Sequence, residues 1–361
     1  MIIGSISEDL SYEKRVAITP EVIKKYKSLG IEINITKNYA MHLGISDKEY
    51  ETEGANIYLS NEEVISKSKA IIQMNLPNEH ILKKLMKDQI LIGVLNPYLN
   101  ELKLKEIISN NVKCFSLELL PRITRAQSMD ILSSQANLAG YKAVVESFAY
   151  FQKAIPMMMT AAGTISAAKV LIVGAGVAGL QAIATAKRMG AIVYATDVRL
   201  ASKEQVESLG GKFLTVEGSE NLETDGGYAK ETSEDFKIKQ EELLKETLKK
   251  IDIVICTALI PGKKAPIIIK KDMIDVMQTG SVIYDLAASQ GGNSELTKVN
   301  EIIDHNGVQI MGDANILNNN FSLADLCLNK YKALNAHEIK LLNIDFDLDI
   351  LTYPSLVILS L

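Results

Sequence analysis

A glycine-rich turn between a buried strand and a helix constrains this chain more than any other feature of its sequence. The turn is GAGVAG, Gly174 to Gly179, and it follows the apolar, β-branched run KVLIV. A helix-like stretch then ends near Gly190, a second strand AIVYAT follows, and Asp197 comes directly after that strand. Strand, glycine turn, helix, strand and acid occur here in the order of a βαβ unit that binds a dinucleotide.

Each glycine has a physical role in such a turn. Gly174 permits the tight turn, Gly176 lets the backbone approach a pyrophosphate, and Gly179 lets helix and sheet pack closely. The helix N-terminus supplies N–H donors and positive potential to the phosphates. Asp197 can accept both hydroxyls of the adenosine ribose, and because a carboxylate repels a 2′-phosphate, we predict NAD rather than NADP. Arg199, two residues further on, can soften that preference.

A tight βα turn without a ligand is the alternative to a dinucleotide site. We favour the site, because the strand, the helix and the acid all fall at the required places. The predicted cofactor contacts in this segment are Gly174, Ala175, Gly176, Val177, Gly179, Asp197, Val198 and Arg199.

Composition limits the class of protein. The chain has 361 residues, of which 47% are hydrophobic and 23% charged, and this length suits two domains. A net charge of −5 gives no sign of the basic face that nucleic-acid binding needs. The three cysteines lie far apart and the four histidines are scattered, so we expect neither a disulfide framework nor a metal site. The first residues, MIIGSISEDL, do not resemble a signal peptide, and we expect no direct membrane insertion.

Apolar runs and amphipathic stretches alternate along most of the chain. Early strand candidates are MIIGSIS, IEINIT, AIIQMNL, QILIGVL and VKCFSLEL, and later ones are IDIVICTAL, GSVIYDLA and VQIMGDAN. The stretch TPEVIKKYKSLG has helix end signals, with Thr19 as N-cap, Pro20 at the first position and Gly30 after the end. A longer helical pattern runs from about Asp130 to Phe151. This alternation predicts α/β structure with mostly parallel sheets.

The predicted fold class is α/β, with two Rossmann-like domains whose parallel sheets are linked by long helices. We place residues 1–137 in an N-terminal domain and residues 138–319 in the domain with the glycine turn. The late segment SLADLCLNKYKALNAH has a helical pattern. By analogy with two-domain dehydrogenases, we predict that residues 320–361 complete the N-terminal domain.

Two polar segments are not explained by packing alone. PRITRAQSMDILSSQANLAGY, Pro121 to Tyr141, carries charges and amides into a helix; its alternatives are a ligand contact, or a structural Arg122–Asp130 ion pair with serine caps. EGSENLETDGGYAKETSEDFKIKQ, Glu217 to Gln240, has seven acidic and three basic residues. A long polar loop of this kind is either a functional lid or a solvated surface loop.

Several longer motifs resemble one family. The chain closely resembles the soluble NAD(H)-binding component of proton-translocating nicotinamide nucleotide transhydrogenase, and the resemblance covers nearly all of it. The same superfamily includes alanine dehydrogenase, which EKRVAITPE also resembles. The motifs that carry the resemblance are PRITRAQSMDILSSQANLAGYKAVVE, GAGVAGLQAIATAKRMGA, TDVRLASKEQVESLGGKF, DGGYAKE, TALIPGKKAP and DLAASQGGN.

The resemblance implies further site residues. Arg122, Gln127 and Asp130 match the family's cluster at the nicotinamide end of NAD(H), where they would position the ring for hydride transfer. Ser133 matches a serine beside that cluster, and Ile123 and Thr124 lie within it. The remaining matched positions are Gly227, Tyr228 and Gln240, around a mobile loop that closes over the nucleotide, and Leu259, which packs against the adenine.

The resemblance also implies a mechanism and partners. NADH bound in the cleft between the two domains would exchange hydride directly with NADP(H) on a partner subunit. A membrane-spanning subunit would couple this exchange to proton translocation, because the sequence predicts no span of its own. The chain is then expected to form a homodimer, to be cytoplasmic and peripheral to the inner membrane, and to be inactive without its partners.

Two other function classes remain as alternatives. An amino-acid dehydrogenase of the alanine dehydrogenase type needs a cation for the substrate carboxylate, for which Arg15 is the candidate, and a protonatable acid–base group. The resemblance places Asn75, Asn96 and Ser289 where that family has its lysine, histidine and aspartate, so those groups are missing. The third class is a non-catalytic NAD-binding sensor.

Overall fold

The computed structural model describes residues 1–121, 123–215, 234–260 and 263–318. In this part the chain divides into two compact units, one comprising Met1–Ser134 and the other beginning at Gln135. The division falls within a long helix, which also contains the predicted boundary after residue 137. The predicted return of residues 320–361 to the first domain falls outside the described residues.

The first unit contains a six-stranded sheet in which all neighbouring strands are parallel. The chain winds outward from β1 in one direction and then in the other, giving the order β3-β2-β1-β4-β5-β6. The strands are β1 (Ile2–Ser5), β2 (Glu32–Thr36), β3 (Asn56–Tyr58), β4 (Ala70–Asn75), β5 (Ile90–Val94) and β6 (Lys113–Ser116). The sequence did not predict β3, because this edge strand is only three residues long and lacks an apolar run.

Helices and apolar side chains cover both faces of this sheet. Successive residues of β4 point to opposite faces, so Ile72 belongs to one core cluster and Ile71 to the other. Pro20 begins α1 after the extended N-cap Thr19, which confirms the predicted start. The helices are α1 (Pro20–Ser28), α2 (Asp47–Glu53), α3 (Asn61–Ser66), α4 (Glu79–Leu82) and α5 (Glu101–Ser109).

A twenty-residue helix and a small hairpin lie between the two sheets in sequence. Helix α6 (Ile131–Tyr150) confirms the helical pattern predicted from about Asp130 to Phe151. The antiparallel pair β7 (Met158–Thr160) and β8 (Gly163–Ile165) follows. The sequence did not predict this hairpin, and all six of its strand residues are exposed.

The second unit contains a seven-stranded sheet in the order β11-β10-β9-β12-β13-β15-β14. Its neighbouring strands are parallel except at one edge, where β14 runs antiparallel to β15. The strands are β9 (Lys169–Val173), β10 (Ile192–Thr196), β11 (Lys212–Phe213), β12 (Ile253–Cys256), β13 (Val282–Asp285), β14 (Ile302–His305) and β15 (Val308–Met311). Both sheets therefore have the doubly wound topology, and the α/β fold class is confirmed.

Four α-helices of the second unit follow α6 in the described residues. They are α7 (Val177–Arg188), α8 (Ser202–Ser208), α9 (Glu234–Leu248) and α10 (Lys271–Ile274). Helix α9 corrects the sequence interpretation, which treated Glu217 to Gln240 as one polar loop. Its Leu244 and Leu248 lie one turn apart and are buried, so they hold an otherwise polar helix against the sheet.

The winding direction reverses at β1 in the first sheet and at β9 in the second. In open α/β sheets, ligands bind outside the carboxyl ends of the strands at such a reversal. The glycine turn directly follows β9 and therefore lies at this position. Among the helices of the described residues, none combines the length and the apolar character needed to cross a membrane.

Candidate functional site

The turn after β9 is held in shape by its glycines. Gly174 has φ +94°, a left-handed conformation that residues with a side chain rarely adopt. A Cβ at Gly179 would lie 1.9 Å from the Gly174 carbonyl oxygen, so only glycine lets α7 begin this close to the turn. The two roles that the sequence predicts for these glycines thus have a direct geometric basis.

The middle of the turn faces open space. A Cβ built on Gly176 meets no atom within 4 Å, and Val177 at the start of α7 is exposed. The first N–H groups of this twelve-residue helix lack carbonyl partners within it, and the helix dipole adds positive potential there. The turn can therefore admit an anionic group such as a pyrophosphate against its backbone.

The acid after β10 is buried and paired. The Asp197 carboxylate accepts hydrogen bonds from Arg199 Nε at 2.9 Å and Arg199 Nη2 at 2.8 Å. The backbone N–H groups of Arg199 and Ala175 also donate to it, at 2.9 and 2.7 Å. Burial by itself would raise the pKa of Asp197, but the hydrogen bonds and charge of Arg199 hold it below the usual value. Asp197 is therefore a carboxylate at neutral pH.

These contacts refine the predicted roles within the turn. The Ala175 N–H points to Asp197, so it ties the turn to the end of β10 rather than facing outward as a phosphate donor. Val198 lies between Asp197 and Arg199 and is half-buried. Asp197 thus fixes the turn and also presents a negative charge at the carboxyl edge of the sheet.

The loop after β12 packs against the same turn. Thr257 Oγ1 donates to the Gly174 carbonyl oxygen at 2.8 Å, and a Cβ on Gly174 would lie 3.1 Å from the Ala258 nitrogen. Leu259, the residue predicted to contact adenine, follows this contact and is 44% exposed. An apolar surface is therefore available beside the glycine turn.

In the first unit, the polar segment before α6 forms a short 3₁₀ helix, Thr124–Met129. Ile123, Thr124 and Gln127 are exposed there. Asp130 accepts hydrogen bonds from the Ser133 backbone N–H at 2.9 Å and from Ser133 Oγ at 2.7 Å. Asp130 and Ser133 therefore cap the start of α6, which is one of the two roles that the sequence left open for such residues.

Three predicted contacts fall outside the described residues: Arg122, Gly227 and Tyr228. Gln240 lies in α9 and is half-buried.

Sequence reasoning missed Gly140 of α6. A Cβ there would lie 2.0 Å from the Ala178 carbonyl oxygen, so this glycine lets α6 pack against the first turn of α7. The only signal was a glycine inside a helical pattern, which often marks a close approach of another backbone.

A second missed group lies beneath the loop after β13. Asp285 and Asn293 are fully buried, and they connect the DLAASQGGN motif to the loop after β12. The motif supported the family resemblance, but no residue in it was assigned a role.

The candidate cation for a substrate carboxylate is already paired within the first unit. Arg15 Nη2 lies 2.7 Å from Glu13 Oε2, and Arg15 Nε donates to Glu13 Oε1 at 2.8 Å. Asn75 Nδ2 donates to the same carboxylate at 2.6 Å. Burial would raise the pKa of Glu13, but Arg15 holds it below the usual value. Arg15 is thus occupied by a carboxylate from its own chain.

Within the described ranges, no three histidine, cysteine, aspartate or glutamate side chains come together as a metal site. Cys114 and Cys256 are buried free thiols, and burial raises the pKa of each. The chemistry that this geometry supports is therefore binding and orientation of an anionic, hydroxyl-rich ligand at the glycine turn.

Two family models match this chain. The "Alanine dehydrogenase/PNT, N-terminal domain" matches residues 4–139, and the "Alanine dehydrogenase/PNT, C-terminal domain" matches residues 143–332. The first portion of "NAD(P) transhydrogenase subunit alpha" of Rickettsia prowazekii is 46% identical over 320 residues, covering 88% of this chain and 84% of the relative. The same-named protein of Rhodospirillum rubrum is 47% identical over 313 residues, covering 84% and 81%.

Solved structures agree with the sequence matches. The crystal structure of transhydrogenase from Sinorhizobium meliloti superposes with a TM-score of 0.84 at 42% identity, covering 93% of this chain and 92% of that one. Alanine dehydrogenases are more distant, since that of Methanococcus maripaludis is 27% identical over 298 residues, covering 82% of this chain and 74% of the relative.

Proposed function

Because this chain belongs to the alanine dehydrogenase/PNT family of NAD-binding oxidoreductases, we propose that it binds NAD(H) and exchanges hydride directly with NADP(H) on a partner subunit. The observation that carries the proposal is the open glycine turn with the buried carboxylate Asp197 beside it. Relatives with 46–47% identity are named transhydrogenase subunits, which supports this reaction over amino-acid dehydrogenation.

The turn fits a dinucleotide. The space at Gly176 accommodates a pyrophosphate, and the start of α7 supplies donors for it. Asp197 is ionised and accepts hydrogen bonds, as contact with ribose hydroxyls requires. The exposed Leu259 provides an apolar surface for a base. Each of these features belongs to the second unit.

The bound nicotinamide would supply the hydride chemistry itself. The residues of this chain orient the cofactor and keep water away, so they need not move a proton. We assign the positioning of the nicotinamide to Arg122, Gln127 and Asp130, with Ile123, Thr124 and Ser133 nearby. The exposed side chain of Gln127 is available for a carboxamide or ribose, and Asp130 holds the start of α6. The proposed location is the cleft between the two domains, closed by the loop around Gly227 and Tyr228 and by Gln240.

The pairing of Arg15 with Glu13 opposes the alternative reaction. An amino-acid dehydrogenase needs a cation that accepts the substrate carboxylate. Glu13 already engages Arg15 through two hydrogen bonds, and the nearby Asn75 carries no ionisable group. Binding a 2-oxo acid there would require breaking a largely buried ion pair.

The proposed partners follow from the reaction. NADP(H) would be held by a separate subunit, because one glycine turn of the dinucleotide type occurs in the sequence. A membrane-spanning subunit would couple the exchange to proton translocation, and this chain would sit at the cytoplasmic face of the inner membrane through those subunits. The word "subunit" in the relatives' names supports an assembly of this kind.

We also propose that the chain forms a homodimer through the β7–β8 hairpin. Residues 157–166, MMMTAAGTIS, are all exposed and carry no charge. A two-stranded hairpin is marginally stable alone in water, and its free edges need a partner. Identical antiparallel edges can pair around a two-fold axis, so a second copy is self-complementary there. Uncharged hairpins also avoid repulsion between two chains of net charge −5.

A mixing experiment tests the reaction. NADH is supplied to the purified chain alone, then with pyruvate and ammonium, and then with the NADP(H)-binding subunit and an NADP⁺ analogue of distinct absorbance. We expect NADH binding in every case and turnover only in the last. Turnover with pyruvate and ammonium would support the amino-acid dehydrogenase. Binding without turnover anywhere would support the sensor.

A further inference from the structure

Asn293 occupies a central place beneath the glycine turn. Its side-chain Oδ1 accepts a hydrogen bond from the Ala258 N–H at 3.0 Å, and its Nδ2 donates to the Ala258 carbonyl oxygen at 2.8 Å. The same Nδ2 donates to the Pro266 carbonyl oxygen at 2.9 Å. One fully buried amide therefore satisfies both backbone groups of Ala258 and joins that residue to a second loop.

A buried carboxylate holds Asn293 itself in place. Asp285 Oδ2 accepts hydrogen bonds from the backbone N–H groups of Asn293 and Ser294, at 2.7 and 3.0 Å, and from Thr297 Oγ1 at 2.6 Å. Gly292 has φ +80°, and a Cβ there would lie 2.9 Å from Asp285 Oδ2. The glycine thus permits the close approach of the loop to the carboxylate.

The network reaches the glycine turn through Ala258. The Ala258 backbone packs against Gly174, and the neighbouring Thr257 donates to the Gly174 carbonyl oxygen. Leu259 continues from Ala258 and exposes its side chain. The position of Leu259 relative to the turn is therefore set by the amide of Asn293, although Asn293 is itself buried and does not face the ligand space.

We propose that Asn293 is a positioning residue that sets the affinity for the adenosine half of NAD(H), by fixing Ala258 and Leu259 against the glycine turn. This inference rests on the proposed function, in which Leu259 contacts the adenine. It assigns a role to the DLAASQGGN motif that is separate from hydride transfer. Removing the amide frees the Ala258 backbone and leaves its polar groups unsatisfied.

Nucleotide fragments test this role. Asn293→Ala is expected to weaken the binding of NADH, of ADP-ribose and of AMP by similar factors of about tenfold, because all three contain the adenosine moiety. Asn293→Asp keeps an acceptor for the Ala258 N–H but cannot donate to the carbonyl oxygens of Ala258 and Pro266, so we expect a similar loss. It provides a second variant should the alanine substitution prevent folding.

A double-mutant cycle separates positioning from general stability. In a Leu259→Ala background, Asn293→Ala should change AMP affinity less than about threefold, because the contact through which Asn293 acts is already missing. Asn34→Ala is the matched control, since Asn34 is also buried, in the first unit, and bonds to the Lys67 carbonyl oxygen. It should lower the melting temperature and leave AMP affinity unchanged.

The outcomes distinguish this inference from the proposed function. A wild-type chain that does not bind NADH would contradict both. A wild-type chain that binds NADH, beside a folded Asn293→Ala chain with unchanged AMP affinity, would contradict the role of Asn293 alone. Equal losses with and without Leu259 would also contradict it, because Asn293 would then act by another route.

Discussion

Arg199 donates two side-chain hydrogen bonds to Asp197, Nε to Oδ1 at 2.9 Å and Nη2 to Oδ2 at 2.8 Å. The carboxylate proposed to bind ribose hydroxyls is therefore already paired with a cation two residues away. A ribose that bonds to Asp197 shares or displaces these contacts. A 2′-phosphate would instead meet the Asp197 charge, which repels it, and Arg199, which attracts it.

Asp197→Ala is expected to reverse the balance between the two cofactors. NADH affinity should fall by about ten- to a hundredfold, because the ribose loses its acceptor. NADPH should lose less affinity or gain some, because the substitution releases Arg199 from its carboxylate. Fluorescence titrations with both nucleotides measure the ratio. Arg199→Ala should shift the ratio in the opposite direction, and an unchanged ratio in both variants would refute this reading of the pair.

Two glycines of the turn should respond differently to the same substitution. Gly179→Ala places a Cβ against a backbone oxygen at 1.9 Å, so we expect a loss of about 3 kcal/mol or more in unfolding free energy. Gly176→Ala meets no protein atom, so the melting temperature should change little. Its methyl group should nevertheless weaken NADH binding at least about tenfold, because it occupies the space proposed for the pyrophosphate. Normal NADH affinity in the Gly176→Ala chain would show that the nucleotide lies elsewhere.

Asp130 allows its capping role to be separated from a role in hydride transfer. Asp130→Ala removes the acceptor for the Ser133 N–H and should cost about 1 kcal/mol in unfolding free energy. Asp130→Asn keeps an acceptor oxygen but removes the charge, so stability should remain near that of the wild type. Hydride exchange with the companion subunits should still fall at least about tenfold. Full exchange activity in a stable Asp130→Asn chain would reduce Asp130 to a helix cap.

Glu8 predicts a pH dependence of stability. Burial, with a smaller contribution from the nearby Glu13 charge, raises the pKa of Glu8 from 4.5 to about 8. Between these pH values the folded chain holds a proton that the unfolded chain has lost, so unfolding free energy falls as pH rises through this window. Glu8→Gln keeps an acceptor for the Met74 N–H and should be more stable than the wild type at pH 8, by on the order of 1–3 kcal/mol.

Urea unfolding at pH 5 and pH 8 measures this effect. The wild-type midpoint should fall more steeply with pH than the midpoint of the Glu8→Gln chain. Parallel pH profiles for the two chains would mean that Glu8 is ionised in the folded state at pH 8 without a cost.

The hairpin proposal predicts a change of oligomeric state. Met159 is 71% exposed on β7, and Met159→Lys would place two like charges at the proposed two-fold contact. We expect this variant to sediment as a folded monomer while the wild type sediments as a dimer. Leu102→Lys is the control, since Leu102 is 83% exposed in the first unit and should leave the dimer intact. A Met159→Lys chain that remains dimeric would place the contact elsewhere.

The two parallel sheets were predictable because each central strand is an unbroken apolar run, as expected for strands covered on both faces. The glycine turn was predictable because its backbone conformation restricts residue choice at Gly174 and Gly179. Short or exposed elements such as β3 and the β7–β8 hairpin were missed, since no apolar period marks them. For α9, the predicted loop was wrong because Leu244 and Leu248 outweigh a strongly polar composition.

The contacts of single polar side chains could not be read from the sequence. A motif can indicate that Asp197 and Arg199 belong together, but it does not show that the Ala175 N–H is turned toward them. The amide of Asn293 reaches Ala258 across 35 positions of sequence. Such contacts depend on which loops meet at the edge of the sheet, and this is decided by the order of the strands.

The pairing of Glu13 with Arg15 has a consequence for attempts to redesign this chain. Restoring a lysine at Asn75 alone would place a second cation beside a carboxylate that the first cation already engages. The new ammonium would then strengthen an internal contact instead of creating a vacancy for substrate. A protein engineer would have to remove Glu13 first, so the order of substitutions, and not only their number, would determine whether amino-acid oxidation can be introduced into this scaffold.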